Sequence, residues 1–287
     1  SAGNGQVSVS WTSVSGATSY NIYWSTTSGV TKTTGTKITG GTSPYTHSGL
    51  TNGTTYYYVV TAVNGYGESG ESSQVSGTPM TIAFTGSSNS GYQSNAPAVL
   101  FNHSSNGSNI VAVVGMSASD AVVNFITYGG QSMTFIREDV YSNSYRNKLY
   151  YLSNAPSGTQ NVSVSFGKSG GGSYFYGVVA VATFSGASGI GNHNGASTGS
   201  ASSISTTINS VTANSFLLDF LGFASGEVSK EPSPTQGQTI YFSVWESFGP
   251  SWHKGGYKQA LSGGNYSMGY LNGVTNLKII SAVEVKE

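Results

Sequence analysis

The chain has 287 residues, no cysteine, 11 basic and 11 acidic side chains and four histidines, for a formal net charge of zero. Without cysteine there are no disulfide staples and no cysteine–zinc chemistry, and without a basic stripe there is no counterion release to drive nucleic-acid binding. Charged residues make up 8% of the chain against about 25% in ordinary globular domains, while Gly (40) and Tyr (19) are abundant. A surface kept wet by hydroxyls and amides points away from most cytosolic enzymes and towards an extracellular, cell-surface or virion location.

The length suggests about two domains, and the charge balance is zero in each part. Lys32 and Lys37 face Glu68 and Glu71 before Pro79, and nine bases meet nine acids after it. No apolar run approaches the ~18 residues that cross a bilayer, so no membrane insertion is expected. No signal peptide stands at Ser1, which lies in what reads as folded sequence, and the expectation is that a leader has been removed.

Residues 1–79 alternate from the start, with Val7, Val9 and Trp11 on one face and Ser8 and Ser10 on the other. Period two marks a half-buried strand. Ser15-Gly16 turns the chain, Tyr20, Ile22 and Trp24 alternate again, and a Ser/Thr/Gly-rich loop runs from Ser25 to Thr36. Further on, Tyr56, Tyr58, Val60 and Ala62 are predicted to face a core. Short strands without helical periodicity imply a β-sandwich.

Trp11, the run Tyr20-Asn21-Ile22-Tyr23-Trp24, and Leu50 six residues before Tyr56 resemble a bacterial-style fibronectin type III domain over residues 1–79. Leu50 and Tyr56 match that family's tyrosine corner, in which a Tyr hydroxyl ties back to the preceding loop. Asn64-Gly65-Tyr66-Gly67-Glu68-Ser69 matches its turn before the final strand. The family begins with a Pro-rich first strand, and here only Ser1 to Gln6 precede the Val7 strand. An edge left open in this way recruits other strands. Copies of the same chain, or other surface or virion proteins, are therefore the expected partners.

Residues 80–287 read as a larger all-β unit. Candidate strands are 110–116, 122–128, 133–138, 148–152, 161–166, 175–184, 216–223, 239–246, 266–271 and 277–285. Phe175–Phe184 and Phe216–Phe223 are nearly continuous apolar runs, as in central strands buried on both sides. About ten strands in some 200 residues predict a jelly-roll β-sandwich. Thr127-Tyr128-Gly129-Gly130-Gln131-Ser132-Met133-Thr134, Leu149-Tyr150-Tyr151-Leu152 with Ala155-Pro156-Ser157-Gly158, Ala182-Thr183-Phe184-Ser185-Gly186 and the closing Ile280-Ser281-Ala282-Val283-Glu284-Val285-Lys286 resemble jelly-roll modules of bacterial surface and secreted proteins and phage structural proteins. That resemblance implies location and role rather than a reaction.

Chemical motifs are few. Gly65-Tyr66-Gly67-Glu68-Ser69-Gly70 has dinucleotide spacing but no helix after it to meet a pyrophosphate, so no cofactor is expected. Gly195-Ala196-Ser197-Thr198-Gly199 has nucleophile-elbow spacing inside a Gly/Ser/Ala-rich stretch, 185–203, read as a loop; an elbow needs strand, helix and His. Asp219 and Glu246, each inside an apolar strand, are the pair to test for a two-carboxylate glycosidase; outward-facing or paired acids are the plainer reading. Asp120, Glu138 and Asp139 form no calcium loop, and His47, His103, His193 and His253 lack zinc spacing, so no metal is expected.

The remaining signal is aromatic. Trp245, Phe248, Trp252, His253 and Tyr257 crowd what reads as a loop after the strand ending at Glu246, with Gly249-Pro250 and Gly255-Gly256 as loop formers. Exposed Trp and Tyr stack on sugars or anchor interfaces, so Trp245, Trp252, His253 and Tyr257 are the candidate binding residues; the competing reading places Trp245 and Tyr257 in the core. The leading expectation is a non-enzymatic structural or adhesive subunit of a virion or cell-surface assembly. The alternative is a carbohydrate-binding accessory module of a secreted glycan-degrading enzyme.

Overall fold

The computed structural model describes residues 2–118, 122–142, 145–168, 175–224, 231–246 and 251–287. The chain divides into two compact units, Ser1–Thr81 and Ile82–Glu287, and every regular element among the described residues is a strand.

The smaller unit contains β1 (Ala2–Gly3), β2 (Gln6–Val9), β3 (Ser19–Ser25), β4 (Thr36–Gly41), β5 (Tyr45–Ser48), β6 (Tyr56–Asn64), β7 (Gly67–Glu68) and β8 (Val75–Gly77). They form a sheet β1-β2-β5 and a second sheet β4-β3-β6-β7, with β8 also on β6. The alternation read from the sequence sets the core: Val7, Val9, Ile22, Tyr56, Tyr58 and Val60 are buried together, with Trp11, Tyr20 and Trp24 packed against them. The Tyr56 hydroxyl accepts from the Thr51 amide at 3.0 Å, which is the tyrosine corner.

The larger unit contains β9 (Ala83–Asn89), β10 (Gln93–Ala96), β11 (Ala98–Ser105), β12 (Ile110–Ala118), β13 (Val122–Tyr128), β14 (Gln131–Ser132), β15 (Thr134–Ser142), β16 (Tyr145–Ala155), β17 (Gly158–Gly167) and β18 (Phe175–Ser185). Then follow β19 (Gly189–Val211), β20 (Ser215–Ala224), β21 (Ser233–Pro234), β22 (Thr239–Glu246), β23 (Ser251–Ala260) and β24 (Gly264–Lys286). Three sheets result: β11-β17-β13-β14, then β10-β18-β12-β16-β15 with β9 on β18, then β19-β24-β20-β23-β22 with β21 on β24.

The β18 sheet lies in the middle. One of its faces packs Ala112, Val114, Val179 and Val181 against Val99, Ile126, Val162 and Val164 of the β17 sheet. The other packs Val111, Val113, Val178, Ala180 and Ala182 against Phe216, Leu218, Phe220, Val283 and Val285 of the β20 sheet. The two apolar runs are thus central strands covered on both sides, as period-free hydrophobicity predicts. Beyond the β20 sheet lies a third core, in which Leu217, Leu221, Ile280 and Ala282 meet Ile204, Ile208, Met268 and Tyr270. Those partners lie on the far halves of β19 and β24, so this ribbon doubles back over its own sheet where the register breaks between Thr198 and Ser203. The sandwich therefore has more layers than the two of a simple jelly roll.

The stretch 185–203, expected as a loop, is largely part of β19. Its small residues are there for packing. A Cβ added at Gly191, Gly195 or Gly199 would fall 2.0–2.2 Å from Glu284, Asp139 and Tyr141 respectively, so each of these positions receives a side chain from a neighbouring strand.

The closest approach in the middle of the unit is at Gly115 of β12, where an added Cβ would lie 2.0 Å from the Phe220 ring. Gly115→Ala is therefore expected to destabilise the larger unit by about 1–3 kcal/mol, the cost typical of overpacking. A urea midpoint unchanged by this substitution would contradict the close packing of the two sheets.

Candidate functional site

The residues singled out as an aromatic loop do not form one. Ser251–Ala260 is strand β23, paired with β20 on one side and β22 on the other. Its glycines are required by packing: a Cβ on Gly255 would lie 2.4 Å from Phe242 and Tyr241, and one on Gly256 would lie 2.7 Å from the Tyr270 hydroxyl. In a strand, alternate residues point to opposite faces, so His253 and Tyr257 face one way and Trp252 the other. His253 is 1% exposed, and burial pushes its imidazole down to about 4. Tyr257 stacks on Phe84 at 4.3 Å and meets Phe216 at 6.0 Å. Trp252 is half-buried. Phe248, Gly249, Pro250 and the Trp245 side chain lie outside the described residues. Trp252, His253 and Tyr257 are thus brought into one strand but not onto one exposed face, because an alternating strand cannot present all three together.

The acids are absorbed in a similar way. Asp219 of β20 is 1% exposed and sits in a cage of neutral donors. Its carboxylate accepts from Gln238 Nε2 at 2.9 Å, the Tyr270 hydroxyl at 2.8 Å and the Gly256 amide at 2.8 Å. Tyr241 donates to its backbone carbonyl. Burial pushes the carboxyl up to about 6, and the three hydrogen bonds oppose that shift. The acid is neither outward-facing nor ion-paired. Glu246 is level with Ser251, which is level with Ala224 on β20, five positions from Asp219. At about 3.3 Å per residue the offset along the strands is roughly 17 Å, beyond the ~5–9.5 Å of glycosidase pairs.

Other titratable groups have structural partners. Glu284 accepts from the Asn192 and Thr212 amides and from Ser215 Oγ. Buried Lys254 donates to Glu231 and to the Pro232 carbonyl, and this bond holds Glu231 below its ordinary range. The nucleophile-elbow spacing is part of the β19 packing: Gly195 and Gly199 make room for Asp139 and Tyr141, and Ser197 Oγ donates to the Val140 carbonyl. Gly65–Gly70 spans the turn between β6 and β7 and the residues after it. Among the described residues, no group of three or more His, Asp or Glu side chains is placed to hold a metal, and no helix is long and apolar enough to cross a membrane.

The fold and these saturated polar groups define an all-β protein of modular type. A fibronectin type III domain is found at residues 1–78, and the all-β remainder is consistent with a jelly-roll-like module. A 91-residue stretch is 42% identical to an amylopullulanase of Thermoanaerobacter thermohydrosulfuricus, covering 31% of this chain and 6% of that protein. The chain therefore corresponds to a small fraction of the relative it matches.

Buried groups make the stability of the larger unit depend on pH in two opposing ways. The folded state binds the Asp219 proton more tightly than the unfolded chain does, so this residue lowers stability as pH rises from about 4 to about 6. His103 and His253, each pushed down from 6.5 to about 4 by burial, stay neutral in the fold while the unfolded chain takes up protons. They raise stability over nearly the same interval. Asp219→Asn is expected to steepen the rise of the urea midpoint with pH between 4 and 6. An unchanged slope would show that the Asp219 carboxyl is not raised.

Proposed function

We propose that this chain is a non-catalytic, extracellular structural or adhesive module that works as a repeated subunit on a virion or cell surface. The observation that carries this reading is a sheet face of the larger unit that bears no charged side chain among the described residues and exposes three large apolar ones. Leu100, Val122 and Phe125 of β11 and β13 are 69%, 51% and 53% exposed. They share the outer face of the β17 sheet with Ser163 and Ser165. Exposed apolar surface of this kind marks contact sites. A second copy is the occupant favoured by the zero net charge, since like-charge repulsion would not oppose close packing of identical subunits. The fibronectin type III domain and the internal use of Asp219 support a scaffold rather than a catalyst.

The likeness to an amylopullulanase, a glycan-degrading enzyme, favours a second reading: a carbohydrate-binding accessory module. Of Trp252, His253 and Tyr257, whose side chains are described, half-buried Trp252 is the one that a sugar contact in the larger unit would use.

Light scattering at micromolar concentration is expected to show multiples of 29.6 kDa, and Leu100→Glu with Phe125→Ser is expected to return the protein to a monomer. A strict monomer before substitution would overturn the repeated-subunit reading.

A further inference from the structure

The smaller unit contains a cleft lined by aromatic, hydroxyl and glycine residues. It lies between the segment that follows β2 and the end of β4, with a volume of about 450 Å³, and is lined by Trp11, Tyr20, Gly40, Gly41, Thr42 and Ser43 among others. The volume falls in the range of ligand pockets, about 300–1,000 Å³. The Trp11 and Tyr20 rings stand 5.4 Å apart at 55°.

Hydrogen bonds fix the walls. Ser43 Oγ accepts from the Trp11 amide at 2.9 Å and donates to its carbonyl at 2.8 Å, joining the two sides. The Tyr20 hydroxyl accepts from the Val14 amide at 2.7 Å, which leaves its own proton to donate. The strand end is glycine for a steric reason: a Cβ at Gly41 would lie 3.6 Å from the Trp11 ring edge and 2.9 Å from Ile22 Cδ1. No carboxylate, ammonium, guanidinium or imidazole lines the cleft. Trp11 Nε1 is buried and finds no acceptor among the described residues.

The geometry points to this cleft as a binding site for a neutral oligosaccharide. A pyranose ring is amphipathic in the same sense as the lining, with C–H groups on its faces for the indole and phenol rings and O–H groups on its rim for the hydroxyls and backbone. Tyr and Trp suit such surfaces because each joins a large apolar face to one polar group. A phosphate or uronic acid would find no cation to compensate its desolvation. Ala17 borders both this cleft and a second one of about 300 Å³ lined by Asn64, Tyr66 and Glu68. An oligosaccharide longer than the first cleft would therefore run towards Tyr66, which is fully exposed. The inference rests on the carbohydrate reading above and gives it a location in the fibronectin type III domain.

The test is a titration of the whole 287-residue, nitrogen-15-labelled chain with maltohexaose and with cellohexaose, with a heparin hexasaccharide as the charged control. The Trp11 indole N–H and the Gly40, Gly41 and Thr42 amides are expected to shift saturably with at least one neutral sugar and not with heparin. Trp11→Phe is expected to weaken binding by about tenfold, which corresponds to about 1.4 kcal/mol. Gly41→Ala, whose methyl would lie 2.9 Å from Ile22 Cδ1 and 3.6 Å from the Trp11 ring edge, is expected to do the same in a protein whose melting temperature shows that it is folded. Shifts confined to Ile82–Glu287 would overturn the site while leaving the carbohydrate reading intact. No shift with either neutral sugar would overturn both.

Discussion

A β-sheet covered on both faces has no side for water, so each side chain must be apolar or have an internal partner. The β18 sheet is built to that rule. Along β18 itself, Val178, Val179, Ala180, Val181, Ala182 and Phe184 are fully buried, together with the polar Thr183. Its hydroxyl meets His103 Nε2 at 2.9 Å and accepts from Thr85 at 2.9 Å, and His103 in turn reaches Ser88. The outer sheets depend on this middle layer, since each buries one face against it. The small residues along β12 and β18 let both approach, and Gly115 beneath Phe220 is the limiting case.

These central strands were legible because burial on both faces leaves a direct trace in sequence, an apolar run without period. The fibronectin-like unit was legible for the opposite reason: Val7, Val9, Tyr56, Tyr58 and Val60 alternate, and the Leu50–Tyr56 spacing carries a specific hydrogen bond. β19 and β23 left no such trace. Their glycines read as loop formers, yet Gly191, Gly195, Gly199, Gly255 and Gly256 lie under side chains that come from other strands. A glycine selected by a neighbour's bulk looks the same in one dimension as a glycine selected by a turn.

The candidate site was harder to read for a related reason. Trp252, His253 and Tyr257 are close in sequence, and closeness in a loop means a shared surface, whereas in a strand it means opposite faces. Asp219 was noticed as an acid in an apolar strand, but its partners are distant in sequence: Gly256 lies on the neighbouring strand β23, Gln238 precedes β22, and Tyr270 arrives only when the β19–β24 ribbon closes over the sheet. In the smaller unit Trp11 and Tyr20 were read as alternating core positions; the cleft beside them exists because β4 ends in two glycines, and no local pattern announces an empty volume.

The glycines of β19 also bear on how a 23-residue strand selects its pairing. Its first half lacks the apolar alternation that normally penalises misalignment. A shift of two residues keeps every side chain on its own face, and so escapes that penalty, but it would bring Cβ atoms into at least two of the three spaces that Glu284, Asp139 and Tyr141 occupy at Gly191, Gly195 and Gly199. A shift of four restores glycine at two of those three places. In one direction it would carry Thr212 into the position of Ile208, and in the other it would carry Ser200 into the position of Ile204, both of which are buried in the third core. The alignment of the longest ribbon is thus specified twice over: a shift of two or four sets a Cβ against at least one of these three side chains, and a shift of four also places a polar residue in the third core.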